Sequence, residues 1–144
     1  MVDVLERTAK ELKALESRRQ AVKGIRVRIR MLETDVVGIG GFDHERPRVN
    51  ESKGRSGRYG NMEERDELQR QERALQGWIE HMESSLAGMH PEDQRILREF
   101  YCTGKPAGEA VRVLEEALNM SRSDIYRKRE GALSELAARL GYIL

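Results

Sequence analysis

Two long stretches carry apolar residues at helical spacing, and this limits the possible folds more than any other feature of the sequence. In residues 1–37 the apolar positions recur at steps of three, four or seven: Leu5, Leu12, Leu15, Val22, Ile25, Ile29, Leu32 and Val36. Residues 61–89 repeat the pattern with Leu68, Leu75, Ile79, Met82, Leu86 and Met89. A narrow apolar seam of this kind is typical of helices that pack lengthwise, as in coiled coils. Two long helices are therefore predicted.

The composition supports a helical protein. Charged residues make up 35% of the chain, aromatic residues only 5% and hydrophobic residues 38%. We do not expect such a sequence to form a compact core that uses every segment, whereas long exposed helices fit this composition well. We find no convincing strand pattern, and Glu, Lys, Arg, Leu and Ala favour helix. The predicted class is all-α.

The two seam segments carry opposite charge. Residues 1–33 hold nine Lys or Arg and five acids, a balance of +4, while residues 61–89 hold three Arg and seven acids, a balance of −4. An antiparallel helical hairpin would bury both seams and align these charges along its flanks. The pattern leaves open whether the helices pair within one chain or between two.

Residues 38–60 separate the two seams. They contain six of the thirteen glycines, together with Pro47, and have no periodicity. This composition predicts a flexible, solvated linker. Five basic residues against three acids are too small a surplus to indicate a nucleic-acid-binding arm. Asn61, with Glu64 three residues later, has the spacing of a helix-capping box and is the predicted start of the second long helix.

Residues 90–144 have the pattern of three shorter helices. Pro91 suits the first position of a helix, and Gly104 suits the turn after it. A further helix is predicted from about residue 106 to 118. Asn119 and Met120 form a short turn, because asparagine tolerates the left-handed conformation. The final residues 141–144 are apolar and are expected to fold back on this small core.

The last predicted helix has the features of the second helix of a helix-turn-helix. Ser121 and Asp124 have capping-box spacing. An apolar stripe follows at Ile125, Ala132, Leu133, Leu136 and Leu140. The first half also carries Arg122, Tyr126, Arg127, Lys128 and Arg129, and it is the N-terminal part of such a helix that contacts base edges. The alternative is a plain amphipathic helix with a solvated basic face.

Several classes of protein receive no support from the sequence. There is no phosphate-binding loop, HExxH or CxxC motif, and the three histidines fall in different segments. Cys102 is alone and is expected to pack rather than react. No segment has the apolar length of a signal peptide or a membrane span. We therefore expect no enzyme, catalytic residue, cofactor, metal or membrane association, and a cytoplasmic protein.

The order of these segments resembles a known family. A long helix, a glycine-rich linker, SGRYGNMEER, a second seam helix, ILREFYCTGKP and ALNMSRSDIYRKREGALSEL follow one another as in the ArpU/RinA-like phage transcriptional regulators. The C-terminal part of that family is similar to region 4 of sigma factors. Two positions depart from the pattern, since the family often has a small residue where Leu114 stands and glycine where Asn119 stands.

The resemblance implies a long N-terminal helical hairpin, coiled-coil-like, followed by a three-helix helix-turn-helix domain that binds double-stranded DNA. By this resemblance, the residues expected to face the major groove of DNA are Arg122, Ser123, Tyr126 and Arg127. Lys128 and Arg129 are expected to contact phosphates, which position the protein without specifying sequence. Arg112, on the preceding helix, is expected to reach the sugar–phosphate backbone of the DNA.

The leading functional hypothesis is a sequence-specific transcription regulator of phage or prophage late genes, acting on the nucleoid of a bacterial host. Its expected partners are a second copy of the chain, forming a homodimer, and RNA polymerase. A small terminase subunit, which packages DNA, is an alternative. So is a helical adaptor that binds protein and no DNA. The net charge of +1 requires any DNA site to be a local patch.

Overall fold

The computed structural model describes the backbone of residues 2–37 and 51–142 and the side chains of residues 3–34 and 62–142. Within these residues the chain forms helices and no strand, which confirms the all-α prediction. The helices are α1 (Val2–Val37), α2 (Glu51–Ala87), α3 (Pro91–Tyr101), α4 (Ala107–Leu118) and α5 (Arg122–Leu140). In the part of the chain described here, no helix combines the length and the apolar character needed to cross a membrane.

The second long helix starts earlier than the sequence predicts. It begins at Glu51, so Asn61 and Glu64 lie inside α2 and do not cap it. Elongating a formed helix gains a hydrogen bond for each residue added, whereas starting one is costly. Each glycine costs only about 1 kcal/mol relative to alanine, so the three glycines between residues 51 and 60 weaken the helix without ending it. The remainder of the predicted linker, residues 38–50, lies outside the described residues.

The chain divides into two compact units, of which one is Arg19–Gly77. In this unit α1 and α2 run antiparallel, because Arg26 pairs with Glu72 at 2.8 Å while the later residue Arg28 pairs with the earlier Glu64 at 3.1 Å. The seam residues Val22, Ile29 and Leu32 are buried, and Ile25, Leu68 and Leu75 are half-buried. The helices thus pair within one chain, with the opposite charges aligned as predicted.

The other compact unit combines Met1–Arg18 with Trp78–Leu144. Helices α3, α4 and α5 each pack against the other two. Their common core consists of Ile96, Phe100, Ala110, Val111, Leu114 and Ile125. The unit extends beyond the predicted domain at residues 90–144, because it also includes the start of α1 and the end of α2.

The two ends of the long helices add buried side chains to this unit. Leu12, Leu15, Met82 and Leu86 are all buried, as the seam pattern predicts. Thr8 is also fully buried, which the apolar pattern does not predict. Its hydroxyl donates to the carbonyl of Val4 at 2.8 Å, so the helix itself satisfies the polar group.

The C-terminus of α5 is closed by a Schellman turn. Gly141 adopts a left-handed conformation (φ 97°), its N–H donates to Ala138, and the N–H of Tyr142 donates to Ala137. The hydroxyl of Tyr142 donates to the carboxylate of Glu11. Tyr142 therefore contacts the start of α1, which belongs to the same unit. Ile143 and Leu144 lie outside the described residues, so the return of residues 141–144 to the three-helix core stays a prediction.

Candidate nucleic-acid interface

Helices α4 and α5 form a helix-turn-helix joined by residues 119–121. Asn119 has φ 52° and ψ 50°, so it supplies the left-handed conformation at the position where the resembled family often has glycine. Ser121 is the N-cap of α5, and its Oγ accepts a hydrogen bond from the N–H of Asp124 at 3.3 Å. Leu114 is fully buried and therefore packs as a core residue between the helices. A short turn of this kind is typical of DNA-binding helix pairs.

The apolar stripe of α5 faces the core, as the sequence predicts. Ile125, Ala132, Leu133 and Leu136 are buried, and Leu140 is half-buried. The opposite side of the first turns presents Ser123 and Arg127, both exposed, whereas Arg122 is exposed as the first residue of α5 and lies on the same side as Ile125, three residues later. Two of the four residues predicted for the major groove therefore lie on the solvent side of this helix, and a third is accessible at its start.

Arg127 is the most accessible cation that the sequence predicts for base contact. Its side chain is 81% exposed, and its Nη1 lies 3.8 Å from a carboxylate oxygen of Asp124. An ion pair this exposed contributes little free energy and is screened by salt. The guanidinium can therefore exchange Asp124 for another acceptor at small cost. Asp124 lies three residues before Arg127, on the same side of α5.

Tyr126 is half-buried and belongs to a stack of rings and guanidinium groups. Its ring centroid lies 5.9 Å from that of Phe100. The guanidinium carbon of Arg129 is 4.9 Å from both ring centroids, and that of Arg122 is 5.7 Å from the Tyr126 ring. Contacts at these distances are in the range of cation–π attraction. The stack links the start of α5 to the end of α3.

This stack gives Arg129 a role that the sequence did not predict. The Nε of Arg129 is buried and has no hydrogen-bond partner among the described residues. The side chain therefore lies along the rings, with its stem and Nε removed from solvent, and it supports the position of Tyr126. Phe100 lies 29 positions earlier in the sequence, so no local spacing rule could have revealed the contact.

Lys128 is engaged within the protein. Its ammonium donates to a carboxylate oxygen of Glu92, in the first turn of α3. This hydrogen bond lowers the pKa of Glu92 and raises the pKa of Lys128. An acid is also favourable at the N-terminus of a helix. The ammonium has two further N–H donors and is partly exposed, so Lys128 could contact a phosphate, as the sequence predicts, while it keeps Glu92.

Arg112, the cation predicted on α4, is exposed and forms no ion pair with a residue that the structure describes. The structure thus separates the seven predicted residues into two groups. Arg112, Arg122, Ser123, Arg127 and Lys128 are exposed, whereas Tyr126 and Arg129 are half-buried. Lys128 differs from the other exposed cations because it is bonded to a carboxylate on another helix. The sequence pattern identified the helix and its outer face but missed the carboxylate and the ring that engage Lys128 and Arg129.

Comparison with known proteins adds no further assignment. No protein-family model, curated protein or solved structure matches this chain.

Proposed function

We propose that this protein is a sequence-specific DNA-binding transcription regulator, similar to the ArpU/RinA-like regulators of phage or prophage late genes. The observation that supports the proposal best is the exposure of Arg122, Ser123 and Arg127 on the first turns of the second helix of a helix-turn-helix. The buried stripe of α5 leaves the face with Ser123 and Arg127 open to a ligand. Side chains at this position enter the major groove in helix-turn-helix proteins.

The chemistry of these residues suits base recognition. An arginine presents a planar fork that donates two hydrogen bonds to O6 and N7 of guanine. Arg127 and Arg122 are the candidates for such contacts, and the Ser123 hydroxyl can donate or accept. Arg112 is the candidate phosphate contact, which would fix the orientation of α5 without reading sequence.

The proposal extends to partners and location. The protein acts as a homodimer on double-stranded DNA, and RNA polymerase is a further partner. Its place is the cytoplasm of a bacterial host, in association with the nucleoid. A dimer binds two half-sites about 34–36 Å apart, or a multiple of that spacing. The charge pattern and the helical hairpin are compatible with this assembly.

Charge reversal tests the proposal. Binding of the full chain to a mixed-sequence duplex is measured by fluorescence anisotropy over a range of salt concentrations. The logarithm of the binding constant should fall linearly with the logarithm of salt, by about 0.9 for each phosphate contacted. The double variant Arg122→Glu/Arg127→Glu should bind at least about thirtyfold more weakly, since each contact contributes about 1–3 kcal/mol. Glutamate is favourable near a helix N-terminus, so α5 should remain folded.

The matched control is Lys23→Glu/Arg30→Glu. It changes the net charge by the same amount but lies on α1 in the Arg19–Gly77 unit. The proposal expects this variant to bind DNA nearly as well as the original chain. Equal weakening by both double variants would mean that binding follows net charge alone, and the proposed interface would be wrong.

A further inference from the structure

Helix α1 carries a second stripe on the side opposite its buried seam. Within the Arg19–Gly77 unit, the uncharged residues recur at steps of four and three: Gln20, Gly24, Val27, Met31 and Thr34. We call this set the outer stripe. Steps of four and three are the spacing of a seam that contacts another helix. At 100° per residue, Val27 and Met31 point about half a turn away from Val22 and Ile29, which contact α2.

The exposure of the outer stripe is unusual for its composition. Val27 is 50% exposed and Met31 is 55% exposed, and they are two of the three large hydrophobic residues that are exposed in the described part of the chain. The hydroxyl of Thr34 donates to the carbonyl of Arg30 at 2.7 Å, so the helix already satisfies it. The space beside Gly24 is open, which would let a partner side chain approach the backbone.

The charges beside the outer stripe favour one kind of partner. Residues 19–34 contain six charged side chains, of which five are basic. Arg26 and Arg28 are paired with α2, whereas Lys23 and Arg30 are exposed and form no ion pair with a described residue. Each of these two cations directly precedes a stripe residue, Gly24 or Met31, and so lies at the flanking position that chooses a partner in a coiled coil.

A second copy of the same stripe fits these charges poorly. In an antiparallel pair, Lys23 and Arg30 of one chain would face the same cations of the other. In a parallel pair, Lys23 would face Arg28 of the other chain and Arg30 would face Asp35, so one of these two contacts is repulsive. Like charges placed opposite each other across a helix interface are unfavourable, whereas carboxylates at these positions would be attracted. The same cations that disfavour self-pairing favour an acidic helix.

We propose that the outer stripe of α1 is a docking surface for an acidic amphipathic helix of another protein, with the apolar seam of that helix on Val27 and Met31 and its flanking carboxylates on Lys23 and Arg30. Binding of this type buries residues at i, i+3, i+4 and i+7 of the incoming helix. The surface is independent of the proposed DNA interface. A regulator with both could hold a protein partner through α1 while α5 contacts DNA.

The test uses two synthetic peptides of about four heptads, which is enough to define a seam. In every heptad, both peptides carry leucine at the two seam positions a and d. One peptide has glutamate at the flanking positions e and g, and the other has lysine there, so that like charges oppose pairing between copies of the same peptide. Anisotropy of the labelled peptides is measured as the full chain is added. The proposal expects binding of the glutamate peptide and at least about tenfold weaker binding of the lysine peptide.

Two variants locate the binding on this surface. Val27→Gln/Met31→Gln removes the apolar contacts without changing charge or helix propensity greatly, and should abolish binding of the glutamate peptide. Lys23→Glu/Arg30→Glu should reverse the preference, so that the lysine peptide binds more tightly. Circular dichroism and DNA affinity, measured on the same samples, should stay near those of the original chain.

Several results would overturn the proposal. Failure of the glutamate peptide to bind, equal binding of both peptides, or unchanged binding by Val27→Gln/Met31→Gln would each do so. Sedimentation equilibrium measures whether the chain associates with itself. Self-association that Val27→Gln/Met31→Gln abolishes would show that a second copy of the chain, and not an acidic helix, binds the outer stripe. Loss of DNA binding by Arg122→Glu/Arg127→Glu would leave all of these results unaffected, so the two proposals fail separately.

Discussion

Replacing Leu114 by alanine is expected to lower the free energy of unfolding by about 2–5 kcal/mol. Leu114 is fully buried and packs with Ile96, Phe100 and Ile125 at the centre of the three-helix core. Removing the γ-carbon and its two methyl groups there loses their transfer free energy and leaves a cavity that the helices can fill only in part. The effect should be among the largest of any single substitution in this unit.

Urea unfolding followed by Trp78 fluorescence measures this change, because Trp78 is the chain's one tryptophan and belongs to the same compact unit. The matched control is Leu118→Ala, the same substitution at a partly buried position beside the core. It should cost clearly less. Equal losses at the two positions would show that Leu114 does not occupy the centre of the core.

The second large effect is expected at Arg127. Its replacement by alanine should weaken binding to the preferred sequence by about 1–3 kcal/mol and relax discrimination at one base pair. The reason is that the exposed guanidinium, held only by Asp124 at 3.8 Å, is the side chain best placed to form a bidentate contact with guanine. The measurement is the affinity of each variant for the preferred duplex and for its single-base-pair substitutions.

Arg112→Ala is the matched control for Arg127→Ala, since it removes the same exposed group from α4. It should weaken binding to every sequence by a similar factor and reduce the salt slope by about 0.9. Lys128→Ala should have a smaller effect than Arg112→Ala, because the carboxylate of Glu92 already compensates part of the Lys128 charge. If Arg127→Ala and Arg112→Ala change all sequences alike, the assignment of Arg127 to base recognition is wrong.

Features set by local backbone chemistry could be predicted from the sequence. Pro91 starts α3, Asn119 adopts the left-handed conformation, and Ser121 caps α5. Each depends on the residue and its near neighbours alone. The seams were also predictable, since helical periodicity determines which side of α1 and α2 is buried.

Features that depend on contacts between distant residues could not be predicted. The stack of Arg129 on Phe100 and the ion pair of Lys128 with Glu92 join α5 to α3, and no spacing rule connects them. The burial of Thr8 could not be predicted from an apolar pattern, because a threonine counts as polar in such a pattern. In the fold its hydroxyl donates to its own helix, so the side chain can be buried. The outer stripe could not be predicted, because glutamine, glycine and threonine interrupt its apolar residues and only the exposure of Val27 and Met31 in the folded helix distinguishes it.

Recognition of a DNA sequence by the exposed residues at the start of α5 can be tested by selecting bound duplexes from a random DNA pool, with the mass of the complex measured in solution. We expect enrichment of a short inverted repeat, bound by a dimer, and loss of that enrichment in Arg122→Glu/Arg127→Glu. A pool that stays random, or a closed ring of many subunits that binds without sequence preference, would contradict this expectation.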